Sequence, residues 1–231
     1  MRVDIWSDVV CPFCYIGKKR LEHVAAEAGI ELEVHWHSYE LDLNAPAKHE
    51  GSNTERLARK YGRSYAEMEE MQRHVAATAA SEGIDFQWQK ANSGNSFNAH
   101  RIIHLAQSKG LGNEAEEAFF HAYMTEGLAI GEREVVEEIA SRIGLDNAEV
   151  EYVLDSDELT DFVRHDVKIA REQLNITGVP FFVFDQKLTL SGAQPREIFL
   201  QALQQAQSAI TEIEQDAAAQ CNDESCEIKP Q

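Results

Sequence analysis

The tetrapeptide Cys11-Pro12-Phe13-Cys14 limits what this chain can become more than any other stretch. It follows a strand-like run, Val3-Asp4-Ile5-Trp6, and a helical pattern begins directly behind it. Two cysteines three apart in the first turn of a helix bring their sulfurs within reach of a disulfide. The first faces the helix's unpaired N–H groups. Those donors and the positive end of the macrodipole favour its thiolate, relative to a free cysteine with a pKa of ~8.5. Cys11 is therefore the expected nucleophile. Cys14, one turn inside, is the expected resolving thiol, which attacks a mixed disulfide formed on Cys11. Pro12 presets φ at the first helical position and lacks an N–H that would be unpaired there. A zinc half-site is the competing reading, but zinc asks for four ligands and no matching Cys or Cys/His pair follows before the tail.

A chain of 231 residues, 43% of them hydrophobic, can bury the core of one large domain or of a domain carrying a sizeable insertion. The formal net charge of -19 argues against nucleic acid and anionic membrane surfaces as partners, since both need clustered Lys and Arg. Strand-like residues begin at Val3 with no basic region and apolar run before them, and no stretch reaches the apolar length of a membrane helix. The expectation is a cytoplasmic protein with no membrane partner. Four cysteines in two close pairs then favour catalytic or sensing thiols over a disulfide framework.

Taken in order, Val3 to Val9 reads as a strand, Pro12 to Ala28 as an amphipathic helix ended by Gly29, and Ile30 to Tyr39 as a second strand, parallel to the first through a right-handed crossover. Asp4 reads either as a buried proton acceptor near Cys14 or as part of an exposed strand face. His35 and His37 share one face of the second strand; without a third ligand they read as exposed histidines. From Ser52 to Leu174 the pattern is helical, with six or seven helices. Ser52/Glu55, Ser64/Glu67 and Asp146/Glu149 match capping-box spacing, and Gly83, Gly110 and Gly144 suit helix ends. His100 and His104 lie one turn apart, but no glutamate between them supports a metal site. Strand character returns at Phe181–Phe184 and Leu188–Ser191, close enough to form a hairpin, before a last helix from Pro195 to about Gln215. The expected plan is α/β: a βαβ half (1–44) and a ββα half (175–215) around an all-helical insertion (45–174), with a tail at 216–231.

The CxxC at the head of the first helix, the Gly178-Val179-Pro180 before the hairpin, and the helical block between them resemble the DsbA branch of the thioredoxin superfamily. The resemblance is strongest to its FrnE-type members. It is carried by residues 7–17, Asn95-Ser96-Phe97-Asn98-Ala99-His100-Arg101, Ala122 to Gly127, Gly178-Val179-Pro180 and Ser191 to Pro195, and it spans the chain to about residue 210. It implies a thioredoxin fold and disulfide chemistry without a cofactor. It also implies a cis peptide bond at Pro180, with the backbone of Val179 free to pair with an extended substrate. Pro12, Phe13, Val179, His100 and Arg101 form the implied substrate-facing set. Phe13 stands where many relatives carry Trp, and where the DsbA pattern has the His that stabilises its thiolate; the resemblance therefore implies a less oxidising dithiol.

The expected activity is a thiol-disulfide oxidoreductase or disulfide isomerase acting on protein thiols and disulfides. A small-thiol or thioredoxin-like electron donor would serve it. Cys221 and Cys226, near the end of the chain, are expected to form a second redox pair, relaying electrons to the CxxC; a soft-metal clip and an idle tail are the alternatives. One alternative for the whole protein is a glutathione-dependent small-molecule isomerase, since 2-hydroxychromene-carboxylate isomerases resemble this plan, though they carry Ser where Cys11 stands. The other is a soft-metal-binding thiol protein.

Overall fold

Arg2–Ser7 (β1) forms the centre of a four-stranded sheet of order β2-β1-β3-β4, where β2 is Glu33–Ser38, β3 Phe181–Phe184 and β4 Leu188–Ser191. The computed structural model describes residues 1–208. β1 pairs parallel with β2, as a helical crossover requires, and antiparallel with β3, which turns back into β4. The crossover is α1, Pro12–Ala28. Its ends are set by Pro12 at the first turn and by Gly29, whose φ of 66° is the left-handed cap that a Cβ would disfavour.

The helical block contains α2 (Asn53–Tyr61), α3 (Tyr65–Ala80), α4 (Phe97–Ser108), α5 (Gly112–His121), α6 (Arg133–Arg142), α7 (Asn147–Asp155) and α8 (Thr160–Lys168). α5 and α8 each continue into a single π turn, Ala122–Glu126 and Ile169–Gln173. The three capping-box spacings behave differently. Ser64 and Glu67 form the full reciprocal box, Asp146 accepts from the Glu149 N–H only, and Ser52 makes no side-chain cap. A final helix, α9, covers 196–208 among the described residues. The part of that helix expected beyond residue 208, and the tail with Cys221 and Cys226, lie outside them.

One apolar cluster runs through both parts of the chain. Val3, Ile5 and Phe182 from the sheet and Ile16 from α1 pack in the same core as Ile102, Phe119, Phe120 and Val136 from the helical block. Burial of these large side chains, about 1.5–3 kcal/mol each, holds the helical block against the sheet. Asp166 on α8 adds a polar anchor. Its carboxylate accepts from the Ser38 N–H at 2.9 Å and pairs with His37 at 2.9 Å and His104 at 3.2 Å, while its carbonyl accepts from the Trp6 indole.

Candidate active site

Cys11 is the N-cap of α1. Its N–H donates to the Asp8 carbonyl at 2.9 Å, and its own carbonyl accepts the Cys14 N–H at 3.0 Å. No side chain caps the helix and its first turn carries no acid, so the N-terminal field is left to the sulfur. Both cysteines are free thiols, and both are buried. Cys11 Sγ donates to the Val179 carbonyl at 3.6 Å, and the Val179–Pro180 peptide bond is cis. The loop can approach because position 17 is glycine: a Cβ there would meet Pro180 Cγ at 3.0 Å and Phe182 Cζ at 3.1 Å. Asp8 holds the other side. Its carboxylate accepts from the N–H groups of Val10 and Leu41, tying the loop before Cys11 to the segment after β2.

Beneath the dithiol lies a polar cluster that joins the two halves of the chain. Ser7, at the end of β1, donates to Glu116 on α5 at 2.6 Å, and Glu116 is fully buried. Burial pushes the Glu116 carboxyl up to about 7, against the opposing pull of the Ser7 hydroxyl and the His100 and Lys18 charges. Burial also raises the Cys14 thiol well above its ordinary value, and the neighbouring Cys11 sulfur adds to the rise; the Ser7 hydroxyl favours the thiolate. Burial thus favours the protonated Cys14 thiol, with the Ser7 hydroxyl, bonded to Glu116, beside it. Asp4 is not that acceptor, and it is not on an exposed face either. It is buried and spent on Arg2 and on His37, at 2.6 and 3.0 Å.

A cleft of about 350 Å³ opens at Cys11. One wall is the dithiol loop with Pro12 and Phe13 and the backbone of Gly178 and Val179. The other is the α2–α3 hairpin, with Leu57, Met68, Met71 and Val75. Cys14 does not line it. Tyr123, from the π turn after α5, does; its phenol is buried, and burial raises its pKa. Tyr123 belongs to a stretch that carried the family resemblance, yet nothing in its spacing set it apart from a core aromatic.

His100 and Arg101 do not line the cleft. His100 is buried with Nε2 3.7 Å from Asp8 Oδ1; burial would lower its pKa, but Asp8 outweighs this and raises it. Arg101 is buried with its guanidinium turned to the α7–α8 connection, donating to the carbonyls of Val153, Ser156 at 2.6 Å and Glu158 at 2.9 Å. Those bonds satisfy the C-terminal end of α7. His37, read above as exposed, is half-buried and stacked on Trp6 at 4.3 Å between Asp4 and Asp166. His104 bonds Ser38 and Asp166. Among the described residues no three His, Cys, Asp or Glu side chains converge to hold a metal, and no helix is long and apolar enough to cross a membrane.

A family model described as the DSBA-like thioredoxin domain matches residues 2–204. A crystal structure of a probable DsbA oxidoreductase from Streptomyces coelicolor superposes with a TM-score of 0.84 at 37% identity, covering 90% of each chain. The Bacillus subtilis protein YwbO is 27% identical over 208 residues, 90% of this chain and 98% of its own length. A cytosolic disulfide reductase, DsbM, from Pseudomonas aeruginosa, solved with GSH, shares the fold with a TM-score of 0.63 at 18% identity, over 93% of this chain and 100% of that one.

Proposed function

The chain belongs to the DSBA-like thioredoxin domain family and is a disulfide oxidoreductase, and on that premise we propose that it acts on protein thiols and disulfides through Cys11 and Cys14. In the reductive direction the Cys11 thiolate attacks one sulfur of a substrate disulfide. A new S–S bond forms, the old one breaks, and the departing substrate sulfur leaves as a thiolate that takes a proton. Cys14 then passes its proton through Ser7 to Glu116 and attacks Cys11 Sγ. The second substrate thiol leaves, and the enzyme keeps a Cys11–Cys14 disulfide, so two electrons move from enzyme to substrate. A small thiol or a thioredoxin-like dithiol protein would return them; in the oxidative direction every step reverses.

The observation that carries this reading is that Cys11 lies on the cleft wall beside the Val179 backbone, whereas Cys14 lies behind it. An extended polypeptide can lay its own backbone along that open edge while presenting a sulfur to Cys11. A glutathione-dependent isomerase would have no use for a resolving thiol, so the retained pair favours exchange. The test is an insulin-reduction assay beside a scrambled-ribonuclease assay, on the wild type and Cys11→Ser. The wild type should be active in at least one and Cys11→Ser in neither. Activity in the first alone assigns a reductase and in the second an isomerase; full activity of Cys11→Ser refutes the proposal.

A further inference from the structure

The charge pattern of the cleft sets a preference among substrates. This inference rests on the exchange reading above. The chain carries 40 acidic against 21 Lys and Arg residues, and most of its described cations are paired with a carboxylate. Two cations on the cleft wall are not. Arg56, half-buried on α2, donates only to the side-chain oxygen of Asn53, at 2.9 and 3.2 Å. Lys60, one turn on, is exposed and meets only the ring of Tyr61 at 5.9 Å. Neither forms an ion pair among the described residues. Of the two carboxylates in the wall, Asp8 is buried and bonded to two backbone N–H groups, which leaves Asp42 as the one exposed acid among the lining residues.

The same cleft leaves large apolar side chains in water. Phe13 is 47% exposed, Met71 47% and Tyr61 59%, and all three line it. An apolar rim of this kind next to a reactive sulfur marks a binding surface. Combined with unpaired cations, it fits an apolar ligand that carries negative charge.

We infer that Arg56 and Lys60 make this cleft selective for cysteine-containing peptide segments with a carboxylate and an apolar residue near the reacting sulfur. The long-range field favours the opposite choice. A protein of net charge -19 repels an acidic peptide, so a preference for one has to come from local groups. The sign of the preference therefore separates the inference from non-specific electrostatics.

The experiment uses the reduced full-length protein and three synthetic peptides that differ only at one position, Glu, Gln or Lys, two residues from a Leu-Cys pair. Each cysteine is activated as its neutral 2-pyridyl disulfide, and release of pyridine-2-thione in excess of that from Cys11→Ser, which keeps Cys14, Cys221 and Cys226, reports attack by Cys11. The Glu peptide should react faster than the Gln peptide by about threefold to tenfold at low salt, and that ratio should shrink as salt is added, because partly exposed pairs are screened. In Arg56→Gln/Lys60→Gln the ratio should fall to one or below, with the fold checked by circular dichroism. A wild-type ratio of one or less, or an unchanged ratio in the double variant, overturns the inference. Glutathionyl 2-pyridyl disulfide serves as a further arm; if it outpaces every peptide at equal concentration, the occupant is a small anionic thiol and the peptide assignment fails. No release from any probe would instead refute the exchange reading itself.

Discussion

The hydroxyl of Ser7 donates a 2.6 Å hydrogen bond to Glu116 Oε1, joining the end of the central strand to the insertion directly beneath the dithiol. Glu116 is held near 7 in the fold, above the ordinary carboxyl value of 4.5, so between those pH values the unfolded chain ionises it and the native protein does not. The native state binds the extra proton, and stability contributed by this site falls as pH rises from about 4.5 to about 7. Glu116→Gln removes that penalty. Relative to wild type, the variant should gain on the order of 3 kcal/mol between pH 4.5 and pH 8 in urea titrations. It should also slow closure of the Cys11–Cys14 disulfide by roughly 100-fold or more, as loss of a positioned proton acceptor does. A stability difference that is flat with pH would show that Glu116 is not buried as a neutral acid.

Arg101 acts on the fold. Its guanidinium holds three carbonyls at the α7–α8 connection, so Arg101→Leu should cost about 2–4 kcal/mol in chemical denaturation. Measured on the folded fraction, the rate of mixed-disulfide formation should change less than about twofold. A stable variant with impaired exchange would return Arg101 to the substrate-facing set.

His37 makes docking of α8 pH-dependent. Burial lowers its pKa, but the pairs with Asp166 and Asp4 outweigh burial and raise it. A raised histidine contributes stability that is complete below its unfolded pKa and is lost as pH rises through the folded one. The carboxyl of Asp166 is lowered by His104 and His37 despite burial, so its share is lost on acidification instead. His37→Gln should therefore be less stable than wild type at pH 6 by about 1–3 kcal/mol, with the gap narrowing as pH rises through the raised folded pKa of His37. A gap that widened with pH would contradict the assignment.

Gly17 should resist substitution. With Pro180 Cγ at 3.0 Å and Phe182 Cζ at 3.1 Å from where its Cβ would stand, Gly17→Ala has to push α1 away from the loop that faces Cys11. A loss of about 1–3 kcal/mol is expected from overpacking, together with slower exchange at Cys11. Wild-type stability and rate would mean that the loop yields freely.

The parts of this structure legible in the sequence are those specified by neighbours in the chain. Pro12 and Gly29 punctuate α1, and the short apolar Phe181–Phe184 run behind Gly178-Val179-Pro180 reads as a strand, because both signals are local. The resemblance added the cis bond at Pro180, which no periodicity shows. Glu116 was missed because it sits among Glu114 and Glu117 on a helix whose charged side reads as solvated, and only the tertiary fold turns it under Ser7, over a hundred residues earlier. Arg101 shows the converse: a charge beside His100 in a family motif suggests a groove, but the direction of its guanidinium depends on where α7 ends. Ser52 and Glu55 have the right spacing and form no box, since spacing does not fix a side-chain rotamer. The pairing of His37 with Asp4 and Asp166 draws on three separate elements and left no trace in any one of them.

The division of labour between the two cysteines is tested most directly by trapping. Cys14→Ser, mixed under non-reducing conditions with a peptide disulfide and digested for mass spectrometry, should carry one peptide in disulfide linkage on Cys11 that persists until a reductant is added, while the wild type releases it by closing Cys11–Cys14. In the reciprocal variant, Cys11→Ser, Cys14 lies off the cleft and should stay unmodified over the same period. A persistent adduct on Cys14, or none on Cys11, would contradict the account.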